Sequence, residues 1–440
     1  MSAHPDAVSS AHDHGAKGHQ EVAPGEIAVG VVIGRGSEYF DFFVYGIASA
    51  LVFPKVFFPF VEPLQATLYS FALFALAFVV RPLGTTAAFA IQRRWSRGTK
   101  LTVALFLLGT ATAGIAFLPG YAAIGATSIV LLALFRVLQG LALGGSWDGL
   151  PSLLALNAPK QRRGWYAMLG QLGAPVGFIV AASLFAYLIS SLSAKDFYDW
   201  GWRYPFYAAF AINVVALFAR LRLVVAREYQ DKMGQHELEP VPVGELLREK
   251  GRHVLIGAFA PLASFALFHI VTIFPLSWIL LHADQPIVGF LWIQVLGGFI
   301  AIGGVLASGV IADRYGRIAT LGGLALAIAM FSGFAPTLLG GGALAQDAFV
   351  LIGFLLLGLS YGQASGALTR NFGSRYRYTG AAFTTDLAWL IGAAFAPLVA
   401  LWLCANFGLA YLGAYLLSGA ISTLVALLIH HRIRQVGANA

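Results

Sequence analysis

Residues 27–53 read IAVGVVIGRGSEYFDFFVYGIASALVF, an apolar stretch of membrane-spanning length that nevertheless contains three charged side chains. Arg35, Glu38 and Asp41 are spaced three apart, which places them with Tyr45 on one stripe of a helix. A charge at the centre of the hydrocarbon costs about 2.5–3.5 kcal/mol. We therefore expect this stripe to face the interior of a helix bundle and to serve a function.

The rest of the chain has the same apolar character. Of its 440 residues, 58% are hydrophobic and 11% charged, whereas soluble domains have about 25% charged residues. The apolar runs are continuous and do not alternate with period two, which favours helices over a barrel. We predict an all-α membrane protein with twelve transmembrane helices. The predicted spans are 27–53, 66–91, 99–119, 124–150, 165–191, 203–225, 254–281, 287–311, 318–338, 348–369, 379–403 and 408–430.

The basic residues predict the orientation. With a cytoplasmic N-terminus, 22 of the 28 Lys and Arg residues lie in cytoplasmic segments and only Lys55, Lys195 and Arg203 lie outside. Arg35, Arg81 and Arg136 fall within spans. We therefore expect both termini to be cytoplasmic. The basic loops suit anionic lipid headgroups, so the net charge of +8 requires no nucleic acid.

The N-terminal tail is polar and has no apolar core before Ile27, so we expect no signal peptide. Its four histidines could bind zinc or nickel, but a solvated, disordered tail is the favoured interpretation. We expect no metal site and no cofactor, and the single Cys404 excludes an intrachain disulfide. These histidines are His4, His12, His14 and His19.

The chain divides into two similar halves. The longest polar connection separates six spans from six, and Arg93 after span 2 aligns with Asp313 after span 8 at an offset of 220 residues. Two pseudo-symmetric six-helix bundles with a substrate site between them are typical of secondary transporters. No phosphate-binding loop pattern appears, so direct ATP drive is not expected. The predicted segments are a cytoplasmic tail at 1–26, bundles at 27–225 and 253–430, a cytoplasmic linker at 226–252 and a C-terminal cytoplasmic tail at 431–440.

Several motifs occur in the order and on the loops of one transporter family. They are GRGSEYFDFFVYGIASALVFPKVFFP at 34–59, RVLQGLALGG at 136–145, NAPKQRRGWYAMLGQLGAP at 157–175, GWRYPF at 201–206, DRYGR at 313–317 and RYRYTGA at 375–381. The chain resembles the major facilitator superfamily and, within it, the metabolite:proton symporter family of bacterial inner-membrane carriers. That resemblance implies alternating access, a small-molecule substrate and a location in the bacterial inner membrane.

The departures from the family pattern mark a divergent member. Arg93 occupies the place of the acid in the first-half G-D-R-x-G-R loop, and Ser146 replaces the glutamate of G-G-E-W. Arg370 stands where the family has Glu, and Asp386 where it tends to have Gln.

Arg136 lies about twelve residues into span 4, or roughly 18 Å, near mid-depth. We expect an ion-pair cluster of Glu38 and Asp41 with Arg136, with Arg35 nearer the cytoplasm. Two close carboxylates cannot both ionise cheaply, so one of them is a candidate proton carrier. Alternatively, the cluster only holds spans 1 and 4 together.

Other intramembrane polar groups are candidates for substrate binding. Gln171 precedes Gly173 and Pro175, where a broken helix would expose backbone groups to a cavity. For His269, a histidine bonded to a neighbouring helix is the alternative. The full candidate substrate-binding set is Arg35, Tyr45, Arg136, Gln139, Gln171, His269, Tyr361, Gln363, Asp386 and Trp389.

The loop motifs predict gates. Asp313 can cap a helix end or pair with arginines, holding the cytoplasmic side closed together with Arg314 and Arg317. Because Arg93 replaces the first-half acid, we expect a weakened gate on that side.

These features predict a proton-coupled secondary transporter of a small organic acid, because guanidinium groups bind carboxylates in bidentate fashion. A zwitterionic osmolyte and efflux of an amphiphile are the alternative substrates. A transporter-like sensor without net flux is a different class. The sequence contains no nucleophile–base pair or metal-ligand cluster of the kind that an enzyme would need, so we do not expect an enzyme. We expect a monomer in contact with membrane lipids.

Overall fold

The computed structural model describes residues 24–146, 158–225, 239–283, 285–364 and 372–438, and every regular element in these ranges is helical. The N-terminal histidines, Trp147, Arg370 and residues 226–238 of the predicted linker lie outside the described residues. The twelve long helices are α1 (Pro24–Leu51), α2 (Pro63–Arg94), α3 (Arg97–Phe117), α4 (Ala126–Gly145), α5 (Arg163–Ser191), α6 (Tyr204–Val225), α7 (Leu262–His282), α8 (Ile287–Tyr315), α9 (Arg317–Leu339), α10 (Ala343–Ala364), α11 (Gly373–Phe407) and α12 (Ala410–Ala438).

Each predicted span overlaps one of these helices. Ten of them are long and apolar enough to cross a membrane. The other two, α1 and α6, are 28 and 22 residues long, and α1 carries the charges Arg35, Glu38 and Asp41. The predicted all-α membrane fold is confirmed.

The region before α7 differs from the prediction. A helix at Val243–Phe259 begins inside the predicted linker, and a turn at Ala260 and Pro261 separates it from α7. Span 7 was predicted to start at 254 because its apolar residues begin there. The proline has no N–H to continue the hydrogen-bond ladder, so the chain turns instead.

Helix packing repeats between the halves. In the first half α2 packs on α4, α3 on α6 and α1 on α5; in the second half α8 packs on α10, α9 on α12 and α7 on α11. Gly140 of α4 and Gly358 of α10 occupy equivalent positions, where a Cβ atom would collide with the main chain of Ala77 and Ala301. Small residues at such crossings let transmembrane backbones approach closely.

Three helices are interrupted near the centre of the bundle. α5 breaks after Leu169 and resumes at Gly173, which confirms the expected interruption beside Gln171. α7 breaks at Ile273, ahead of Pro275. α11 widens into a π-helical segment at Trp389–Ala394, and such bulges are frequent at functional sites.

Candidate substrate cavity

A cavity lies between the two halves, in the part of the bundle predicted to face the cytoplasm. Its free volume is about 50 Å³, which is room for a few water molecules, so the halves must separate to admit a metabolite. It is lined by Arg35, Glu38, Tyr39, Phe42, Phe78, Arg81, Leu143, Ser146, Gly170, Gln171, Phe265, Tyr361, Thr385 and Trp389.

Aromatic rings close the cavity on its inner side. Phe78 of α2 stacks on Trp389 of α11, with ring centroids 5.7 Å apart. Phe42 and Phe265 pack against the same indole. The hydroxyls of Tyr39 on α1 and Tyr361 on α10 are hydrogen-bonded to each other across the two halves. The inner side of the cavity is therefore aromatic, whereas charged and polar side chains such as Arg35, Glu38 and Arg81 line the rest of it.

Arg35 and Glu38 form an ion pair within α1. Arg35 Nη1 donates to Glu38 Oε2 at 2.7 Å, and both side chains line the cavity. Their i,i+3 spacing brings the two groups onto the same helix surface. The prediction that Glu38 would pair with Arg136 was wrong, because helix geometry gives Glu38 a nearer partner one turn away.

Arg136 instead lies deeper, behind the aromatic layer. Its guanidinium stacks on the Tyr45 ring, 3.9 Å from the centroid, and its Nε and Nη2 donate to the carbonyl of Phe74 at 3.2 and 3.1 Å. Nη1 donates to Gln139 Oε1 at 3.1 Å. In the described part of the chain this arginine forms no ion pair within 4 Å, so the expected cluster is absent.

Asp41 is connected to Arg136 through two neutral side chains. Gln139 Nε2 donates to Thr112 Oγ1 at 2.9 Å, and Thr112 Oγ1 donates to Asp41 Oδ1 at 2.8 Å. All four side chains are buried. The relay joins α1, α3 and α4 inside the first half, and it does not reach the cavity.

Asp386 joins the two halves. Arg81 Nε of α2 donates to Asp386 Oδ1 of α11 at 2.7 Å, and Thr85 Oγ1 is hydrogen-bonded to Asp386 Oδ2. Asp386 is 3% exposed, whereas Arg81 lines the cavity beside Trp389. Trp389 itself lines the cavity, as expected for a binding residue.

His269 lies in an aromatic cage. Phe42, Phe74, Phe78, Phe268 and Trp389 surround its ring, which is fully buried. Neither ring nitrogen makes a hydrogen bond of standard geometry among the described residues, although the main chain of Ala393 on α11 lies close enough for a weak one, so the alternative of a histidine bonded to a neighbouring helix stays open.

The remaining predicted binding residues divide into two groups. Gln171 and Tyr361 line the cavity. Tyr45 and Gln139 are buried behind it, around Arg136. Gln363 lies at the cytoplasmic contact between halves, where its Nε2 donates to the carbonyl of Gly164 at 3.2 Å, so in this state it contributes to the gate.

Asp313 caps the start of α5 from the opposite half. Its Oδ1 accepts from the N–H of Gly164 at 2.5 Å, and its Oδ2 accepts from the N–H of Trp165 at 3.2 Å. A carboxylate at this position also meets the positive end of the helix dipole. Arg317 Nη2 donates to the carbonyl of Gln363 at 3.5 Å, whereas Arg314 is exposed. The helix-capping alternative for Asp313 is the one that the structure adopts.

A different contact occupies the equivalent position after span 2. Arg93 is exposed. Lys100 of α3, which the charge count placed in a cytoplasmic loop, is instead buried, and its Nζ donates to the hydroxyl of Tyr378 on α11 at 2.9 Å. That hydroxyl donates to Gln92 Oε1 at 3.3 Å. A lysine–tyrosine contact thus joins the halves where the family pattern has an acid.

Sequence reasoning missed Arg81, Thr85, Lys100, Tyr39 and Tyr378 as site residues. A charge within the membrane is as costly at Arg81 as at Arg35, so its position inside a span already marked Arg81 as a candidate functional residue. Thr85 follows Arg81 by four residues, on the same helix face. The tyrosines carried no comparable signal, because tyrosine is common at membrane interfaces without a specific role. No group of three or more potential metal ligands occurs in the described ranges.

Comparisons with known proteins identify the family. The family model for the Major Facilitator Superfamily matches residues 42–389. Inner membrane metabolite transport protein YhjE of Escherichia coli (strain K12) is 36% identical over 440 residues, 97% of this chain and 99% of that protein. The shikimate transporter of the same strain is 31% identical over 418 residues, 91% of this chain and 93% of that protein.

A solved structure shares the fold. The structure of the proton:xylose symporter XylE bound to 6-bromo-6-deoxy-D-glucose has a TM-score of 0.68 and 16% identity, and the match covers 93% of this chain and 95% of that one. The fold and the relatives are those of transporters, so the prediction that the chain is not an enzyme is confirmed. The chain belongs to the major facilitator superfamily and is a multi-pass membrane transporter of metabolites.

Proposed function

We propose that this transporter moves a small organic acid across the bacterial inner membrane by proton symport and alternating access. The observation that carries the proposal is the pair of arginines in the cavity, Arg35 of α1 and Arg81 of α2. Guanidinium groups bind carboxylates with two parallel hydrogen bonds, and an apolar surrounding strengthens such contacts. Gln171, Tyr39 and Tyr361 supply neutral hydrogen-bonding groups for the rest of the substrate.

The contacts between the halves support alternating access. The cytoplasmic end is held by Asp313 with the start of α5, by Lys100 with Tyr378 and by Arg81 with Asp386. Each is a small polar contact between two rigid bundles, which can exchange its partners for water when the bundles rock apart. We place both termini in the cytoplasm and expect a monomer surrounded by lipid, as the loop charges predict.

Proton coupling requires a buried acid that changes its protonation state during the cycle. Glu38, Asp41 and Asp386 are buried carboxylates within the bundle. Arg136 acts on Asp41 only through Gln139 and Thr112, so we assign Arg136 a positioning role in the first half.

A zwitterionic substrate is the second candidate. The cavity presents acidic Glu38 together with the rings of Phe42, Phe265 and Trp389, and a quaternary ammonium group binds to aromatic faces. Efflux of an amphiphile would use the same rings. A transporter-like sensor would bind ligand without flux.

Purified protein in proteoliposomes with a trapped pH dye separates these functions. Addition of pooled carboxylates, including shikimate and succinate, should acidify the lumen, whereas pooled zwitterions should not. Acidification with zwitterions alone would favour the second candidate. No acidification with either pool, from protein shown to be folded, would contradict proton symport.

A further inference from the structure

Asp386 and Arg81 are the only oppositely charged pair in the described residues that joins the two halves inside the bundle. The carboxylate accepts from Arg81 Nε through Oδ1, at 2.7 Å, and it is hydrogen-bonded to Thr85 through Oδ2. Arg35 and Glu38, by contrast, pair within one helix. Of the ion pairs within the bundle in the described residues, the Arg81–Asp386 pair is therefore the one that separates when one half moves relative to the other.

The contacts of Thr85 can accommodate an additional proton on Asp386. The Thr85 hydroxyl carries a single proton, yet two acceptors lie within reach: Asp386 Oδ2 and the carbonyl of Gly144, at 3.1 Å. If Asp386 is ionised, one of the two acceptors receives no proton from Thr85. If Oδ2 is protonated, it donates to Thr85 Oγ1, and Thr85 donates in turn to the carbonyl of Gly144. Both short contacts are then hydrogen bonds with one proton each, and no heavy atom has to move.

The close approach of α2 and α4 fixes this arrangement. A Cβ atom on Gly144 would collide with the carbonyl of Arg81 and the N–H of Thr85, so only glycine brings its carbonyl to the Thr85 hydroxyl. The proton site is thus held by main chain on one side and by α11 on the other.

Arg81 has hydrogen-bonding capacity left for a ligand. It uses Nε for Asp386 and lines the cavity, and its two terminal nitrogens have no hydrogen-bond partner in the described part of the chain. The guanidinium lies 6.0 Å from the centroid of the Trp389 ring, which positions it at the cavity wall. A guanidinium with free terminal N–H groups is a receptor for carboxylate.

We propose that Arg81 binds the carboxylate of the substrate and that Asp386 accepts the co-transported proton on Oδ2, so that substrate replaces Asp386 as the counter-ion of Arg81. The proposal rests on the proposed function and names the coupling site within it. One anion and one proton enter together, so the site remains neutral before and after loading. Each ligand then strengthens the binding of the other by the same factor.

The neighbouring groups are consistent with this assignment. Besides Arg81, the titratable groups of the described residues that face the cavity are Arg35, Glu38 and Tyr39 from α1 and Tyr361 from α10, while His269 of α7 lies behind Trp389. Asp41 is bonded to Thr112 inside the first half and faces no contact between halves. Asp386 is therefore the acid whose protonation acts on both the gate and the substrate.

The test compares Asp386→Asn with Asp199→Asn, a matched change at the exposed end of the short helix Ala194–Asp199. An asparagine is a neutral mimic of the protonated acid and can still accept from Arg81 and donate to Thr85. With shikimate or succinate added outside the proteoliposomes, Asp386→Asn should lose lumen acidification and concentrative uptake. In proteoliposomes preloaded with the same acid it should keep exchange. Its Kd for these acids should be independent of pH, whereas the wild-type Kd should weaken by up to about tenfold per pH unit. Arg81→Gln should lose binding altogether.

Acidification that persists in Asp386→Asn, or carboxylate binding that persists in Arg81→Gln, would overturn the proposal. An infrared difference titration without substrate gives an independent readout: the wild type and Asp199→Asn should show a carboxylic-acid band that is missing in Asp386→Asn. If this band is present but the wild type moves no protons with either acid, the proposed symport fails and the proton site stands. If the wild type moves protons and the band is unchanged in Asp386→Asn, the site assignment fails and symport stands.

Discussion

Asp313 at the end of α8 caps the start of α5 in the other half, with Oδ1 2.5 Å from the N–H nitrogen of Gly164. A Cβ atom on Gly164 would collide with Ala312 and with this carboxylate, so the contact requires glycine. A loop motif of the second half thus holds a helix of the first half in place.

Asp313→Ala should open the cytoplasmic side. Loss of a helix cap costs about 0.5–2 kcal/mol, and 1.4 kcal/mol shifts a two-state population about tenfold. In a Cys404→Ser background, a cysteine introduced by Gln171→Cys should react faster with a water-soluble maleimide added from the cytoplasmic side. Asp199→Asn should leave the labelling rate unchanged, and an equal rate in Asp313→Ala would show that the cap does not hold the gate.

Tyr378→Phe should weaken the Lys100–Tyr378 contact between the two halves, at the loop where the family pattern has an acid. The substitution removes an acceptor from the buried Lys100 ammonium, a loss of about 1–3 kcal/mol. We expect a lower melting temperature in detergent and faster labelling of the same introduced cysteine. A double-mutant cycle with Lys100→Met measures the pair, and additivity of the two changes would contradict a direct interaction.

Arg136→Lys should destabilise the first half although the charge is kept. A lysine cannot stack a planar group on Tyr45 or contact Phe74 and Gln139 at once, and the cation–π contact alone contributes about 2 kcal/mol when desolvated. Tyr45→Phe is the matched control: because the Tyr45 hydroxyl has no hydrogen-bond partner in the described ranges, its removal should leave the melting temperature equal or higher. A stable Arg136→Lys protein would contradict the packing role.

His269→Phe should raise the free energy of unfolding. Among the described residues the two buried ring nitrogens make no hydrogen bond of standard geometry, which costs about 1–3 kcal/mol, and phenylalanine fits the surrounding aromatic cage. Thermal unfolding of the purified variant measures the gain, and His269→Gln serves as the polar comparison. Loss of transport by a more stable His269→Phe protein would mean that the histidine binds substrate in another conformation.

Asp41→Asn should keep proton-driven accumulation. The asparagine can still accept from Thr112, and the relay to Arg136 lies away from the cavity. Flux into proteoliposomes with the trapped dye measures this, and Thr112→Val tests the relay separately. If Asp41→Asn abolishes accumulation but spares exchange, Asp41 is the proton carrier. From the sequence alone, Asp41 and Glu38 were the two candidates for that role.

The amino-acid sequence determined the spans, the two-fold repeat, the family and the set of charges that had to face the bundle interior. Those features depend on hydropathy and on spacing along one helix, both of which are local. The Arg35–Glu38 pair was within reach of the same reasoning, because its i,i+3 spacing is a property of α1 alone.

The tertiary structure decided which charge meets which partner between helices. Arg136 was expected to pair with acids at similar depth, but depth does not fix the direction in which a side chain points around its helix. Arg81 and Asp386, or Lys100 and Tyr378, are hundreds of residues apart in the chain, and they meet because of how α2, α3 and α11 pack. Contacts of this kind depend on the rotation and tilt of several helices at once, which the spacing of residues within one helix does not encode.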